Sequence, residues 1–260
     1  MATYLDRIIA EHRASAAADE RRLDDLIGNA LAVAPARGFR AALAGPGLSV
    51  IAEVKRRSPS KGDLFGNLNP TILAREYAAG GASCMSVLTD EVNFGGSAAD
   101  LAEARSAVTL PVIRKDFTVH ERDIADARLM GSDCVLLIVS ALSDSELGRF
   151  HSLAVDLGLD VLVETHDEAE LERALAVGAT LIGVNQRDLV TFQVDHERAA
   201  RMGGVMPDSV VSVAESGVRG PDDAASLHQA GYDAILVGES LVTSGDPENG
   251  VRALIEAGRD

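Results

Sequence analysis

Six side chains able to donate, accept or hold protons close five short apolar segments. Glu53 and Lys55 end SVIAEVK, Lys115 ends PVIRK, Glu164 ends DVLVE, Asn185 ends LIGVN and Glu215 ends VSVAE. A charge placed next to such apolar runs is costly unless it is paired or hydrogen-bonded. Glu53 and Lys55 are two apart, so on a strand both point to one face. A lysine among carboxylates in a partly desolvated cavity can act as a general acid while a neighbouring glutamate acts as base. The plainer account of the same residues is a mutually neutralising ring, Lys55 with Glu53 and Lys115 with Glu164 or Glu215. Perturbed charges cluster at functional sites, and the number that converge here favours acid–base chemistry.

A second group points to an anionic ligand. VAESG and LVGES end two consecutive apolar segments, placing Ser216, Gly217, Gly238 and Glu239 at their tips. Backbone N–H groups of two such turns, followed by an extra helical turn over Leu241 to Ser244, would make a phosphate cradle. Asp246-Pro247 then reads as the cap and first residue of a closing helix. The stretch from Lys55 to Gly62 carries Lys55, Arg56, Arg57 and Lys61 in an otherwise acidic chain. It is either a solvated loop or a flexible source of positive potential for the substrate, with Ser58 beside it. Arg187 and Glu215 join as substrate-binding candidates. Phe94 and Phe117 are either loop-root packing or apolar walls for an aromatic ring.

Convergence of these groups requires elements that repeat. Eight β-branched runs begin at Ser49, Cys84, Pro111, Cys134, Asp160, Leu181, Val210 and Ala234, spaced by 21 to 35 residues. That spacing fits one strand, one helix and two short loops, and the near-continuous apolarity of VLLIV and AILVG fits parallel strands covered by helices. Glycines such as Gly81 and Gly231 stand just before the runs, where they would end the intervening helices. Eight units without a linker predict an α/β fold, a TIM (β/α)8 barrel, over residues 49–260. No GxGxxG turn follows the first strand, which argues against an open dinucleotide-binding sheet. In such a barrel the strand C-termini form the ligand face, where all the residues above lie. Residues 1–48 precede the repeat as a helical extension, around Leu5, Ile8, Ile9, Leu23, Leu26 and Ile27. It either plugs the N-terminal mouth or closes over the ligand face, and ARGFRAAL favours the plug.

The chain has 260 residues with 24 Lys+Arg against 40 Asp+Glu, a formal charge of −16, and 47% hydrophobic residues. No apolar stretch approaches the roughly 20 residues of a membrane span. The acidic balance disfavours nucleic acid and anionic membranes as partners. Asp6, Arg7, Glu11 and Arg13 interrupt the first apolar segment, so no secretory sequence is expected and a cytoplasmic location is. Cys84 and Cys134 lie in apolar runs without metal-ligand spacing, as buried reduced thiols would. A monomer or weak homo-oligomer acting on a small anionic phosphorylated molecule is the expected form.

IAEVKRRSPSKG, SVLTDEVNFGGS, PVIRKDF, VLVETH, IGVNQRDL, VAESGV and ILVGESL, in this order, closely resemble the indole-3-glycerol phosphate synthases of tryptophan biosynthesis. The resemblance implies ring closure of 1-(2-carboxyphenylamino)-1-deoxyribulose 5-phosphate, with loss of carbon dioxide and water and without metal or organic cofactor. It implies Lys115 as general acid, Lys55 as second cation, and Glu164 as base assisted by Glu53 and Asn185. Phe94 and Phe117 match contacts to the anthranilate ring, Ser58 a polar contact, and Ser216, Gly217 and Gly238 the phosphate site. Glu239 stands where some relatives carry serine, so it is expected to offer phosphate only its backbone N–H. Two rival readings remain at this level: a Schiff-base aldolase using Lys115, and a barrel that binds ligand without catalysis.

Overall fold

The computed structural model describes residues 3–58, 62–65, 67–188 and 193–259. Eight parallel strands close into a barrel: β1 (Ser49–Val54), β2 (Cys84–Leu88), β3 (Val112–Lys115), β4 (Cys134–Ile138), β5 (Asp160–Thr165), β6 (Leu181–Asn185), β7 (Val211–Glu215) and β8 (Ala234–Val237). Each pairs with its neighbours in sequence, and β1 closes the ring on β8, with Ile51 opposite Leu236. The eight apolar runs are thus the eight strands, within one or two residues at their ends.

Alternation along each strand sorts side chains into two cores. Val50, Ala52 and Val54 of β1 face outward, into the layer between sheet and helices. Ile51 faces inward with Cys84, Ile113, Cys134, Leu162, Val213 and Leu236. Two residues further along most strands the inward position becomes polar or glycine, with Leu136 of β4 the apolar exception: Glu53, Lys115, Glu164 and Glu215 follow Ile51, Ile113, Leu162 and Val213 on the same face. The apolar tier is therefore the floor of the site. Both cysteines are buried and unbridged within it, and burial pushes their thiols up in pKa.

The helices are α1 (Tyr4–Ala18), α2 (Leu23–Leu31), α3 (Phe39–Leu43), α4 (Pro70–Gly80), α5 (Glu91–Phe94), α6 (Ala98–Ala107), α7 (Glu121–Leu129), α8 (Asp144–Asp156), α9 (Glu168–Ala176), α10 (His196–Gly203), α11 (Pro221–Gln229), α12 (Glu239–Thr243) and α13 (Pro247–Ala257). Asp246 caps α13 with Pro247 in its first turn. The extra turn before it begins at Glu239, two residues ahead of its expected start, because Gly238 already serves as its N-cap.

The extension divides between the two roles considered for it. α3 plugs the N-terminal mouth: Phe39 and Leu43 are fully buried against the inner tier. Arg37 ties the plug to the carbonyls of Arg105, Val108 and Leu110, and the Arg40 N–H donates to Asp160. α1, in contrast, lies at the opposite end, where Tyr4, Leu5 and Ile8 line the ligand cavity. The plug reading alone is therefore corrected. Fifteen residues of helix ahead of a second one give the chain length enough to reach both ends of the barrel.

Candidate active site

A cavity of about 630 Å³ opens at the C-terminal ends of the strands. The polar layer above its apolar floor comes from Glu53 on β1, Lys55 just after it, Lys115 on β3, Glu164 on β5, Asn185 on β6 and Glu215 on β7. Its apolar walls include Leu88, Phe94, Phe117, Leu136 and Ile138. Every one of the fourteen residues singled out from sequence lines this cavity, including Ser58, Arg187, Ser216, Gly217, Gly238 and Glu239.

Lys115 is the hub. Its Nζ lies 3.2 Å from Glu164 Oε2 and 3.5 Å from Glu215 Oε2. Asn185 Nδ2 donates to the other oxygen of Glu164 at 3.1 Å. Lys55 Nζ donates to Glu53 Oε1 at 2.6 Å, and Ser86 Oγ donates to Glu53 Oε2 at 3.2 Å. Both pairings foreseen for a neutralising ring are thus present, and Lys115 engages both of its alternative partners.

These contacts set the protonation states. Burial favours a neutral Lys115, yet Glu164, Glu215 and Glu53 together outweigh it and hold the ammonium well above the ordinary lysine value. Burial likewise opposes ionisation of Glu164, but Lys115, His166 and the Asn185 amide keep it below the usual glutamate range. Glu53 is held low in the same way, against its burial, by Lys55 and Lys115. Glu215 goes the other way: burial and the neighbouring Glu164 raise it to about 8, with Lys115 only partly compensating. Two carboxylates that share one ammonium are pushed apart, which separates a base from an acid.

Two glycines make room for this ring. A Cβ on Gly183 of β6 would lie 2.0 Å from Glu215 Oε1, and one on Gly238 would lie 2.6 Å from Glu53 Oε1. Gly238 therefore seats a carboxylate as well as opening α12. Across the mouth, Ser216 and Gly217 adopt positive φ in succession, 68° and 76°. Gln186, fully buried, donates to the Ser216 carbonyl at 2.9 Å and is itself bonded to His196 at 3.1 Å. No side chain caps the first turn of α12, whose Glu239 and Ser240 face the cavity. The rings of Phe94 and Phe117 stand 6.3 Å apart, and His12 of α1 lies against Phe117 at 5.4 Å.

The comparison with protein families agrees with this geometry: the model for indole-3-glycerol phosphate synthase matches residues 5–254. The chain belongs to the indole-3-glycerol phosphate synthase family. An indole-3-glycerol phosphate synthase of a Nocardioides species is 51% identical over 258 residues, covering 97% of this chain and 98% of that one. Another, from Paenarthrobacter aurescens, is 51% identical over 241 residues, covering 91% and 89%. Among solved structures, a thiamine phosphate pyrophosphorylase from Pyrococcus furiosus superposes with a TM-score of 0.61 at 16% identity, over 81% of this chain and 95% of that one. At that identity the likeness speaks for the barrel alone.

Within this synthase-family barrel the basic stretch after β1 does not act as one unit. Lys55 reaches the cavity, but Arg56 turns away to pair with Asp100 of α6 at 2.6 Å. Arg57 donates to the carbonyls of Glu91, Val92 and Asn93 at α5. Both guanidiniums are structural anchors: alternation turns Arg56 to the side opposite Lys55, and Arg57 is held away from the cavity by the α5 carbonyls. Pro59, Ser60 and Lys61 lie outside the described residues. Asp116 lines the cavity but is committed to Arg114 at 2.9 Å and to the Phe117 N–H at 2.8 Å. Sequence reasoning missed Ser86, Gly183, Gln186, His166 and, in α1, Tyr4 and His12. Only Gly183 carried a usable signal, since glycine inside an apolar strand marks a close approach.

Proposed function

We propose that this chain closes the indole ring with Lys115 as general acid and Glu164 as general base. The family's activity, a carboxy-lyase reaction of tryptophan biosynthesis, supplies the substrate 1-(2-carboxyphenylamino)-1-deoxyribulose 5-phosphate. Lys115 protonates the ketone oxygen as the aryl carbon attacks the carbonyl. Lys55, held at Glu53, faces the substrate carboxylate until carbon dioxide leaves. Glu164, steadied by Asn185, then takes a proton from the methylene carbon as the hydroxyl departs as water. Positioned groups of this kind contribute about 10²- to 10⁴-fold each.

The observation that carries the reading is the buried ammonium of Lys115 within 3.5 Å of two carboxylates of opposed proton affinity. The same observation weighs against a Schiff-base aldolase, whose lysine must be a neutral nucleophile. Phe94 and Phe117 flank the anthranilate ring. Ser58, Arg187 and Glu215 contact the remainder of the substrate, and the Ser216-Gly217 turn with the N–H groups of Gly238 and Glu239 holds phosphate. Among the described residues no helix is long and apolar enough to cross a membrane. With its charge of −16, the chain is read as a cytoplasmic monomer or weak homo-oligomer that binds no nucleic acid.

The test is an indole-fluorescence assay with that substrate on the unaltered protein, Lys115→Ala and Glu164→Gln. The unaltered protein is expected to form product and both variants to lose at least about 10²-fold in kcat. Full turnover by Lys115→Ala, or a borohydride-trapped lysine adduct, would remove Lys115 from the acid role.

A further inference from the structure

Ring closure consumes a proton that a buried site must import. One bond forms, between the carboxyl-bearing aryl carbon and the ketone carbon. Three bonds break: aryl carbon to carboxylate, releasing carbon dioxide; carbon to oxygen, releasing water; and one methylene C–H, whose electron pair forms the ring C=C. The departing oxygen takes up two protons, and the methylene carbon returns only one. Each turnover from the carboxylate form therefore leaves the site one proton short, and solvent must make up the difference.

Solvent reaches the acid–base pair through Lys115, 16% exposed against 2% for Glu164, and Lys115 opens only to the cavity mouth that bound substrate would cover. On the far side of Glu164 stands His166, the first residue after β5. Its Nε2 is 3.5 Å from Glu164 Oε1 and has no hydrogen-bond partner among the described residues. Its Nδ1 lies 3.0 Å from Glu170 Oε2, and the same oxygen accepts the His166 N–H at 2.8 Å. Glu170 belongs to the first turn of α9 in the outer ring of helices, and its side chain is 15% exposed. Lys115, Glu164, His166 and Glu170 thus form a line from the cavity floor to the outside of the barrel, and neither His166 nor Glu170 lines the cavity.

We propose that His166 and Glu170 are the relay through which a solvent proton returns to the Lys115–Glu164 pair in every cycle. The proposal rests on the acid and base roles given above. An imidazole with a carboxylate at each nitrogen satisfies both when it carries both protons, and it can pass one inward and regain another that solvent delivers to Glu170. The charged groups around it are Glu164 from β5, Glu170 from α9 and Arg198 from α10. Burial and Arg198 oppose the imidazolium, and the two carboxylates overcome them, leaving it raised from the ordinary histidine value.

A relay differs from a static support because the first cycle can run on the protons already present. With His166→Gln, single-turnover product formation and kcat/KM should stay within a few-fold of the unaltered level, so KM should fall in step with kcat. Steady-state kcat should fall on the order of 10²-fold, and added imidazole should restore it. Glu170→Gln should show the same pattern with a smaller loss, and it carries the comparison should His166→Gln fail to fold. Unchanged steady-state turnover in both variants would overturn the relay. So would a loss equal in the first and later cycles that imidazole does not repair. Lys115→Ala separates the underlying reading: it should abolish the first turnover too, and a retained first turnover there would refute the acid assignment independently of the relay.

Discussion

Glu215 offers a test of the site's electrostatics that does not depend on turnover. It is 1% exposed, shares Lys115 with Glu164, and has its proton affinity raised from 4.5 to about 8. In the unfolded chain the same carboxyl ionises at its ordinary value. Between those limits the folded state keeps a proton that the unfolded state has released. Its contribution is fully present below pH 4.5 and is lost as pH rises to about 8. The slope is about 1.4 kcal/mol per pH unit across that window, amounting to a few kcal/mol overall. Glu215→Gln keeps the shape of the protonated acid and removes the titration. Urea unfolding of both proteins from pH 5 to 9 isolates the effect of Glu215 and the groups it touches, since the more distant groups cancel in the difference. The variant should gain on the unaltered protein steadily as pH rises and level off above pH 8. Parallel stability profiles would mean that Glu215 is ionised throughout, and the argument that Glu164 and Glu215 are forced apart would fail.

Further outcomes follow from single contacts. Gly183→Ala puts a methyl group 2.0 Å from Glu215 Oε1, so the carboxylate must leave Lys115. Melting should show a loss of about 1–3 kcal/mol, and Gly183→Ala with Glu215→Ala should recover it because the clashing atom is gone. Phe39→Ala empties the fully buried plug and should cost about 3–5 kcal/mol in denaturant unfolding while leaving KM unchanged in the surviving folded protein. Ser216 holds φ at 68°, a conformation that costs a non-glycine residue about 1 kcal/mol. Ser216→Gly should therefore leave stability equal or slightly higher while raising KM for the phosphorylated substrate. A loss of stability in that variant would show that the hydroxyl, not the backbone, holds the turn.

Fold and site were legible for the same reason. Covered parallel strands must be apolar along most of their length, so a charge at the end of such a run is conspicuous. Glu53, Lys115, Glu164 and Glu215 stood out because Ile51, Ile113, Leu162 and Val213 lie beneath them on the same faces. What stayed hidden was whatever depends on neighbours distant in sequence. Arg56 and Arg57 looked like part of a cationic patch because nothing in KRRS reveals that Asp100 and the α5 carbonyls wait beside them. The extension could not be divided between plug and lid because Phe39 and Ile8 are equally apolar and differ only in which end of the barrel they meet. His166 escaped notice because a histidine beside a glutamate at a strand end has no distinctive spacing. Its meaning comes from Glu170, one helical turn into the next element.

The neutralising ring and the catalytic set proposed above, posed as alternatives from sequence, are made of the same residues. No member could stay charged alone at this depth: a buried ion that loses its partner costs about 3–5 kcal/mol, enough to force neutralisation or rearrangement. Lys115 retains its proton because Glu164, Glu53 and, once ionised, Glu215 surround it, and Glu164 is kept ionised by Lys115, Asn185 and His166. Substrate supplies a further carboxylate and a ketone oxygen, the two features that compete for those cations and protons. Ring closure then redistributes a charge balance the folded protein already maintains. Gly183 and Gly238 belong to that balance as much as the ionised groups do, since a methyl group at either position would push one carboxyl group, Glu215 or Glu53, out of its place.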